Sequence, residues 1–577
     1  MFIGKIRGFI KKTRLDQAII FFRNRSLTFQ FLLIASFLFL VFFLVYFSIS
    51  TLSSSDDHFF HFRFASEMVS QGFFSSFHDF QAIYFSKMAQ GGEYFVYYNF
   101  LFYIAVLPFT LITPLYLGIK LYAVFAASVA FALLFLCLKK LDIKNPFVWT
   151  AIIIAITNVS SIWRFFLSRP YALAPSLLLL LIVFLYKRNY VGVFLVTMGY
   201  FYWHSATFFL PFCVALGYFI IEKFYRSKPD YKNLLCALGG TGAALLLAYI
   251  ISPGFLLYMK EIIFGTYTET ILGNKVPITE GAELYPNDFF NFIQGNALIF
   301  AAFITMFCVD IFNYVALKFK KITSGEYLFS RSQERKTVQT TVLILTALFF
   351  LGTVAVSGRF GDYFTLFAGL YIALSFDYVR SIVHMSGPAV IKKGILFGLG
   401  TVLVYLFISN MLFLQERMAR GAGAHDFYQI GTWLARNSNP GDVVFETNWS
   451  WFPQLYYYSP QNRYSSGLEP RFSYVYDPEL YWISENISNR GYICDQPKCP
   501  DVDAQALEAY GGKGAGAEKW AETEGNKIAG TLKNRFGVKY VVTAKPYLAL
   551  NFIMDHNKSF ERKMYNAEYG YSIYQVK

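Results

Sequence analysis

The chain has 577 residues, 55% of them hydrophobic and 20% aromatic, with only 15% charged. Together with a mean hydropathy of +0.40, this excludes an ordinary soluble protein and indicates a polytopic membrane chain. The formal net charge of +14 is what basic cytoplasmic loops supply; no basic stripe interleaved with aromatics marks a nucleic-acid surface, so no nucleic-acid partner is expected.

A helix needs about 20 apolar residues to cross a bilayer. In chain order, candidate spans lie at 29–47, 115–138, 147–165, 171–186, 190–203, 206–221, 234–251, 292–317, 342–356, 363–376 and 394–414. Basic residues accumulate in cytoplasmic loops and so set the orientation. The N-terminal stretch carries Lys5, Arg7, Lys11, Lys12, Arg14, Arg23 and Arg25. Alternating from a cytoplasmic N-terminus, the inner loops hold Lys139, Lys140 and Lys144, then Lys187 and Arg188, then Lys223, Arg226, Lys228 and Lys232, then the basic run 318–336, then Arg380, Lys392 and Lys393. Every basic loop falls on one side. The run 97–113 would invert this pattern if it crossed. It is short and interrupted by Pro108, so it reads as a surface or re-entrant helix.

An odd number of crossings puts the remainder outside. Residues 1–414 form the transmembrane domain, with external loops at 51–114 and 253–288; residues 415–577 form a soluble extracytoplasmic α/β domain. There, 428–437 reads as a helix, GDVVFETNW and VKYVVTAK as strands, and GGKGAGAEKWAETEG as a flexible loop. Cys137, Cys213, Cys236 and Cys308 lie in apolar runs, so only Cys494 and Cys499 are candidates for a disulfide.

The unusual polar residues collect on the outer side. SSSDDHFFHFR follows the first span and holds Asp56, Asp57, His58, His61 and Arg63. SSIWRFFLSRPYALAP holds Arg164 and Arg169, and YWHSA holds Trp203 and His204. VPITEGAELYP holds Glu280 and Glu283, SGRFGDYF holds Arg359 and Asp362, and NWSWFPQLYYYSP holds Trp449 and Trp451. Each has a plain structural reading. The aspartates can cap a helix, Arg63 and Arg359 can reach lipid headgroups, His204 can be interfacial, Glu280 solvated and the aromatics packed. Their convergence on one face favours function, because ionisable groups near a membrane are costly and tend to mark sites. An acid can activate a nucleophile or bind a divalent cation. Arginines grip phosphate with paired donors. That set suits glycosyl transfer from a polyprenyl phosphate or diphosphate, which needs a stabilised leaving phosphate and an activated acceptor.

The order of motifs resembles type-C (GT-C) glycosyltransferases, and within them the oligosaccharyltransferase catalytic subunits. DHFFHFR is similar to the family's first-loop acidic motif, PITE (Thr279, Glu280) to its long-loop motif, GRFGDYF to its arginine-bearing span start, and YWHSATFFLP to its aromatic middle segment. The resemblance implies a mainly α-helical membrane protein of about 11–13 transmembrane helices. It implies Asp57 and Glu280 as catalytic or metal-binding acids, and Arg359, Arg169, Arg63 and His204 around the donor phosphate. Trp449 and Trp451 would shape the acceptor groove. Two departures stand out. FLSRPYALAP has no acid beside Arg169, so Mg²⁺ or Mn²⁺ at Asp57 and Glu280 and a metal-independent mechanism both remain open. NWSWFP lacks the acid and the Tyr-Gly of the family's sequon-reading motif, so the acceptor is expected to be a protein hydroxyl or an envelope glycan. The expected partners are a polyprenyl-linked donor, that acceptor and the bilayer of the cell (inner) membrane. The rivals are a single-sugar transferase acting on lipid or cell-wall glycan, and a lipid-linked glycan transporter or flippase.

Overall fold

The computed structural model describes residues 25–52, 57–71, 82–85, 99–226, 228–251, 259–265, 278, 281, 284–318, 333–382, 389–421, 426–500 and 515–577. The membrane part runs α1 (Leu27–Phe47), α2 (Asp57–Gln71), α3 (Phe100–Thr110), α4 (Leu115–Lys140), α5 (Pro146–Ile156), α6 (Val159–Arg164), α7 (Ala174–Lys187), α8 (Tyr190–Trp203), α9 (Leu210–Tyr225), α10 (Tyr231–Ile251), α11 (Phe289–Gly295), α12 (Ala297–Lys318), α13 (Gln333–Ala355), α14 (Phe360–Ile382) and α15 (Ala389–Ala419).

Among the described residues, six segments are long and apolar enough to cross a bilayer: α1, α4, α9 with the turn before it, α10, α13 and the Phe397–Ala419 part of α15. α11 and α12 together are apolar enough as well, but bend by 91° at their junction, the geometry of a broken span or a re-entrant loop. Five further apolar helices (α3, α5, α7, α8 and the Phe360–Phe376 part of α14) are shorter. Several spans expected as continuous are therefore broken. The run 147–165 splits where the Asn158 side chain accepts the Ser160 N–H and starts α6, and 171–186 opens with a 3₁₀ turn at Pro170. The 11 residues of α3 reach only about 16 Å, half of a bilayer core.

Within the bundle α4 is central: 72% of its apolar window is buried, against 22% for α1 and 11% for α15, which face outward. Lipid offers no hydrophobic drive between helices, so small residues and polar contacts carry the packing. On α10 the buried stripe Ala237, Gly240, Ala244 and Ala248 lies against α8, and a Cβ on Gly240 would stand 2.6 Å from the Phe194 carbonyl oxygen. Asp310 of α12 accepts hydrogen bonds from Gln339 of α13 (2.5 Å) and from Tyr371 and Ser375 of α14 (2.7 Å each). At one end of the bundle the basic loops meet: Arg226 pairs with Glu222 and Glu334 (3.1 and 3.0 Å), and Arg188 lies 3.6 Å from Asp230.

At the other end sits the C-terminal α/β unit: α16 (Tyr428–Asn437), β1 (Val443–Glu446), α17 (Phe452–Tyr458), β2 (Arg463–Tyr464), α18 (Pro470–Tyr476), α19 (Pro478–Arg490), α20 (Ala515–Asn534), β3 (Val538–Ala544), α21 (Leu548–His556), β4 (Phe560–Asn566) and β5 (Tyr571–Val576). The sheet order is β2-β1-β3-β5-β4, with β1 parallel to β2 and β3, and β5 antiparallel to β3 and β4. Helices cover both faces, so β1 reads VVFE without alternation and is buried throughout. Val444, Val542 and Ile573 face α16 and α17; Phe445, Val541 and Tyr574 face α20 and α21. The expected loop at 511–525 is corrected from Ala515 onward, where the chain is helical. Good helix formers dominate there, and Ala521, Ile528 and Leu532 turn one apolar face to the sheet. Cys494 and Cys499 are joined as a disulfide.

The first of these clusters does not stop at the domain. Leu52, Phe59, Phe60, Phe62 and Phe64 from the α2 region share one apolar core with Val444, Phe452, Leu455 and Tyr456. Residues 82–85 also add to the sheet beside β2, with Tyr84 N–H donating to the Tyr464 carbonyl (2.8 Å) and Tyr464 N–H to Ala82 (2.7 Å).

Candidate active site

Asp57 is the first residue of α2, where an acid is favoured by the unpaired N–H groups of the first turn. Its Oδ2 lies 3.0 Å from Arg169 Nη2, with the two side chains 29% and 17% exposed, so the pair remains reachable from solvent. Arg169 stands in extended backbone immediately before Pro170, the conformation a following proline enforces.

Four contacts hold the segment around Arg169. Ser168 N–H donates to Nδ1 of the buried His58 (3.2 Å), and the Ser168 hydroxyl donates to the Ile119 carbonyl. The Trp203 indole N–H donates to the Pro170 carbonyl at 2.6 Å. Arg164 at the end of α6 pairs with Asp362 of α14 (2.5 Å), its guanidinium 4.8 Å from the Tyr171 ring centre. The same short segment thereby touches α2, α4, α8 and α14.

His61 is buried and bonded to the Tyr103 hydroxyl at 3.0 Å. Burial, with the Arg169 charge adding to it, pushes its pKa down to about 3, so it is neutral at ordinary pH. Arg63 does not join Asp57. Six residues along a helix turn its side chain well away from that position, and it pairs with Glu67 at 3.2 Å on the face toward the C-terminal domain.

Arg359 stands just before α14, its backbone N–H donating to the Ser357 hydroxyl (3.3 Å), and its charge acts on His204. His204 Nδ1 is 2.6 Å from the Thr207 hydroxyl, which continues through Tyr200 (2.9 Å) to Tyr363 (2.9 Å). Arg359, His204 and Asp362 therefore belong to one neighbourhood around the start of α14. Between α9 and α13 runs an apolar groove of about 390 Å³, lined by Leu210, Val214, Leu345, Leu348, Phe349 and Gly352, and reaching Val356 and Phe360 beside Arg359.

The tryptophans belong to the C-terminal domain. Trp451 is packed by Phe427, Tyr547 and Tyr571 inside the domain. Trp449 lines a pocket with Ser466, Tyr476, Tyr481 and Glu485, of about 20 Å³, room for one water. Glu280 and Thr279 lie outside the described residues. Among the described residues no three His, Cys, Asp or Glu side chains gather as a metal site; the neighbour of Asp57 is the Arg169 guanidinium. Arg164, Glu67 and the Tyr200–Thr207–Tyr363 chain had no assigned role in the sequence. Of these only the i,i+4 spacing of Arg63 and Glu67 is a readable signal.

No protein-family model and no curated protein matches the sequence. Solved structures do match by fold, among them two forms of one protein. ArnT from Cupriavidus metallidurans bound to undecaprenyl phosphate aligns with a TM-score of 0.53 at 10% identity, over 95% of this chain and 98% of that one. The apo form of the same protein aligns with a TM-score of 0.50 at 10% identity and the same coverage. The chain described here shares that fold, a polytopic helical membrane protein with a C-terminal α/β domain.

Proposed function

We propose that this chain is a membrane glycosyltransferase that moves a sugar from a polyprenyl-linked phosphate donor to a hydroxyl acceptor at the domain-bearing end of the bundle. The observation that carries the reading is the apolar groove between α9 and α13, which reaches Phe360 next to Arg359. A polyprenyl chain fits an apolar, lipid-facing groove, and a phosphate fits an arginine at its end. The ArnT structure of like fold holds undecaprenyl phosphate, which favours a monophosphate-linked donor.

In this reading Arg359, supported by Arg169, takes the charge on the leaving phosphate. Asp57 accepts the proton of the acceptor hydroxyl as its oxygen bonds to the sugar C1 and the C1–phosphate oxygen bond breaks. Glu280 closes the acceptor side, His204 contacts the donor, and Trp449 and Trp451 shape the domain around the acceptor, a protein hydroxyl or an envelope glycan. A site outside the cell membrane is supported by the basic loops at the far end and by the Cys494–Cys499 disulfide, which suits an oxidising outer compartment.

A photoreactive polyprenyl phosphate tests the donor site without requiring turnover. It should label peptides containing Leu348, Gly352 or Phe360, unlabelled polyprenyl phosphate should compete, and Arg359→Ala should weaken the labelling. Labelling spread evenly over all lipid-facing helices would reject the groove as the donor site.

A further inference from the structure

We infer that Glu67 and Tyr456 are positioning residues that hold α2 against the C-terminal domain so that Asp57, at the other end of α2, meets Arg169. The inference rests on the proposed role of Asp57. The geometry behind it does not.

Glu67 is 15% exposed and shared between two partners. One oxygen takes the Arg63 guanidinium at 3.2 Å, and the other accepts the Tyr456 hydroxyl. Tyr456 belongs to α17 and is buried. Burial, then the Glu67 charge, pushes its pKa well up, so the hydroxyl stays a donor. Around this directed contact the two helices meet through rings: Phe60 lies 5.8 Å from both Phe452 and Tyr456, and Phe59 lies 5.1 Å from Tyr457. Apolar contacts tolerate sliding; a carboxylate gripped from both sides does not. Further along the same external loop, residues 82–85 are stitched into the sheet at β2.

Glu67 stands ten residues after Asp57, about 15 Å along one rigid helix. Its side chain faces the domain while Asp57 faces the Arg169 segment. The helix thus transmits the domain's position to the carboxylate, and a misplacement of about 1 Å at a reacting group costs up to about 100-fold in rate. The domain is then part of the catalytic frame, joined to α2 through a common core.

The test uses full-length protein in detergent, with Tyr456→Phe, Glu67→Ala, the conservative Glu67→Gln, and the Glu67→Ala/Tyr456→Phe double variant. Amide exchange over 57–71 and sugar transfer are both measured. We expect faster exchange in 57–71, with the bundle helices unchanged. Turnover should fall about tenfold with donor KM within about twofold, Glu67→Gln should recover part of it, and the double variant should be no worse than Glu67→Ala. Unchanged exchange over 57–71 overturns the latch whether or not the wild type transfers a sugar. Faster exchange with unchanged turnover, or a rise in KM alone, overturns positioning. If the wild type transfers nothing from any donor, the proposed function fails separately and the exchange result alone decides the latch.

Discussion

Asp57 and Arg169 come from different connecting segments of the chain and meet at 3.0 Å. The sequence motif singled out Asp57 but offered Arg169 only as a donor-phosphate group; that the two pair is a fact of folding, invisible in spacing. Asp57→Asn keeps the shape and removes the base, so transfer should fall by about 100-fold or more, with little change in thermal unfolding. A second residue gives a pH signature. Burial pushes Glu446 up to about 8, against hydrogen bonds from Ser465 and Ser466. Its folded pKa lies above the ordinary value of 4.5, so its stabilising contribution is full below that value, declines as pH rises and is gone above about 8. Unfolding temperatures measured across that range should fall toward the alkaline end, and Glu446→Gln should flatten the slope. An equal slope in both proteins would remove Glu446 as the cause.

Among the elements, the segment from Arg164 to Pro170 fixes how the site is assembled, because α2, α4, α8 and α14 all hold it. Asp362 is 4% exposed and removing it strands a charge on Arg164. Asp362→Ala should destabilise the protein by about 3–5 kcal/mol, read as a lower unfolding temperature in detergent; an unchanged value would show that Arg164 finds another partner. On the domain side α16 lies close on α17. A Cβ at Gly431 would stand 2.3 Å from the Tyr458 Cβ, so Gly431→Ala should cost about 1–3 kcal/mol through overpacking, checked by the same melts. The helix 428–437 and the strands β1 and β3 were legible because apolar periodicity and flanking turn residues agreed. The helix from Ala515 was not, because the glycines before it and those within it, Gly516, Gly525 and Gly530, concealed its apolar face. The break at Asn158 was hidden inside the apolar run 147–165, which reads as one span.

For the whole molecule, the division into a basic end and a domain-bearing end was legible from lysines and arginines far from the site, and the helical membrane fold with its α/β domain followed from hydropathy and the polar tail. The shared core between α2 and the domain was not legible, since nothing in FFHFRF says which aromatics it will meet. The topology carries its own prediction. Cys494 and Cys499 should resist alkylation in intact cells until a reductant is added, and then react with a membrane-impermeant reagent. Free thiols at both positions without reductant would contradict the outer placement. The central claim is tested most directly by purified protein, a polyprenyl-monophosphate sugar and a hydroxyl-rich acceptor extract, with wild type, Asp57→Asn and Arg359→Ala compared for labelled sugar transferred. The account predicts transfer by wild type, loss with Asp57→Asn and a raised donor KM with Arg359→Ala; robust transfer by Asp57→Asn would contradict it.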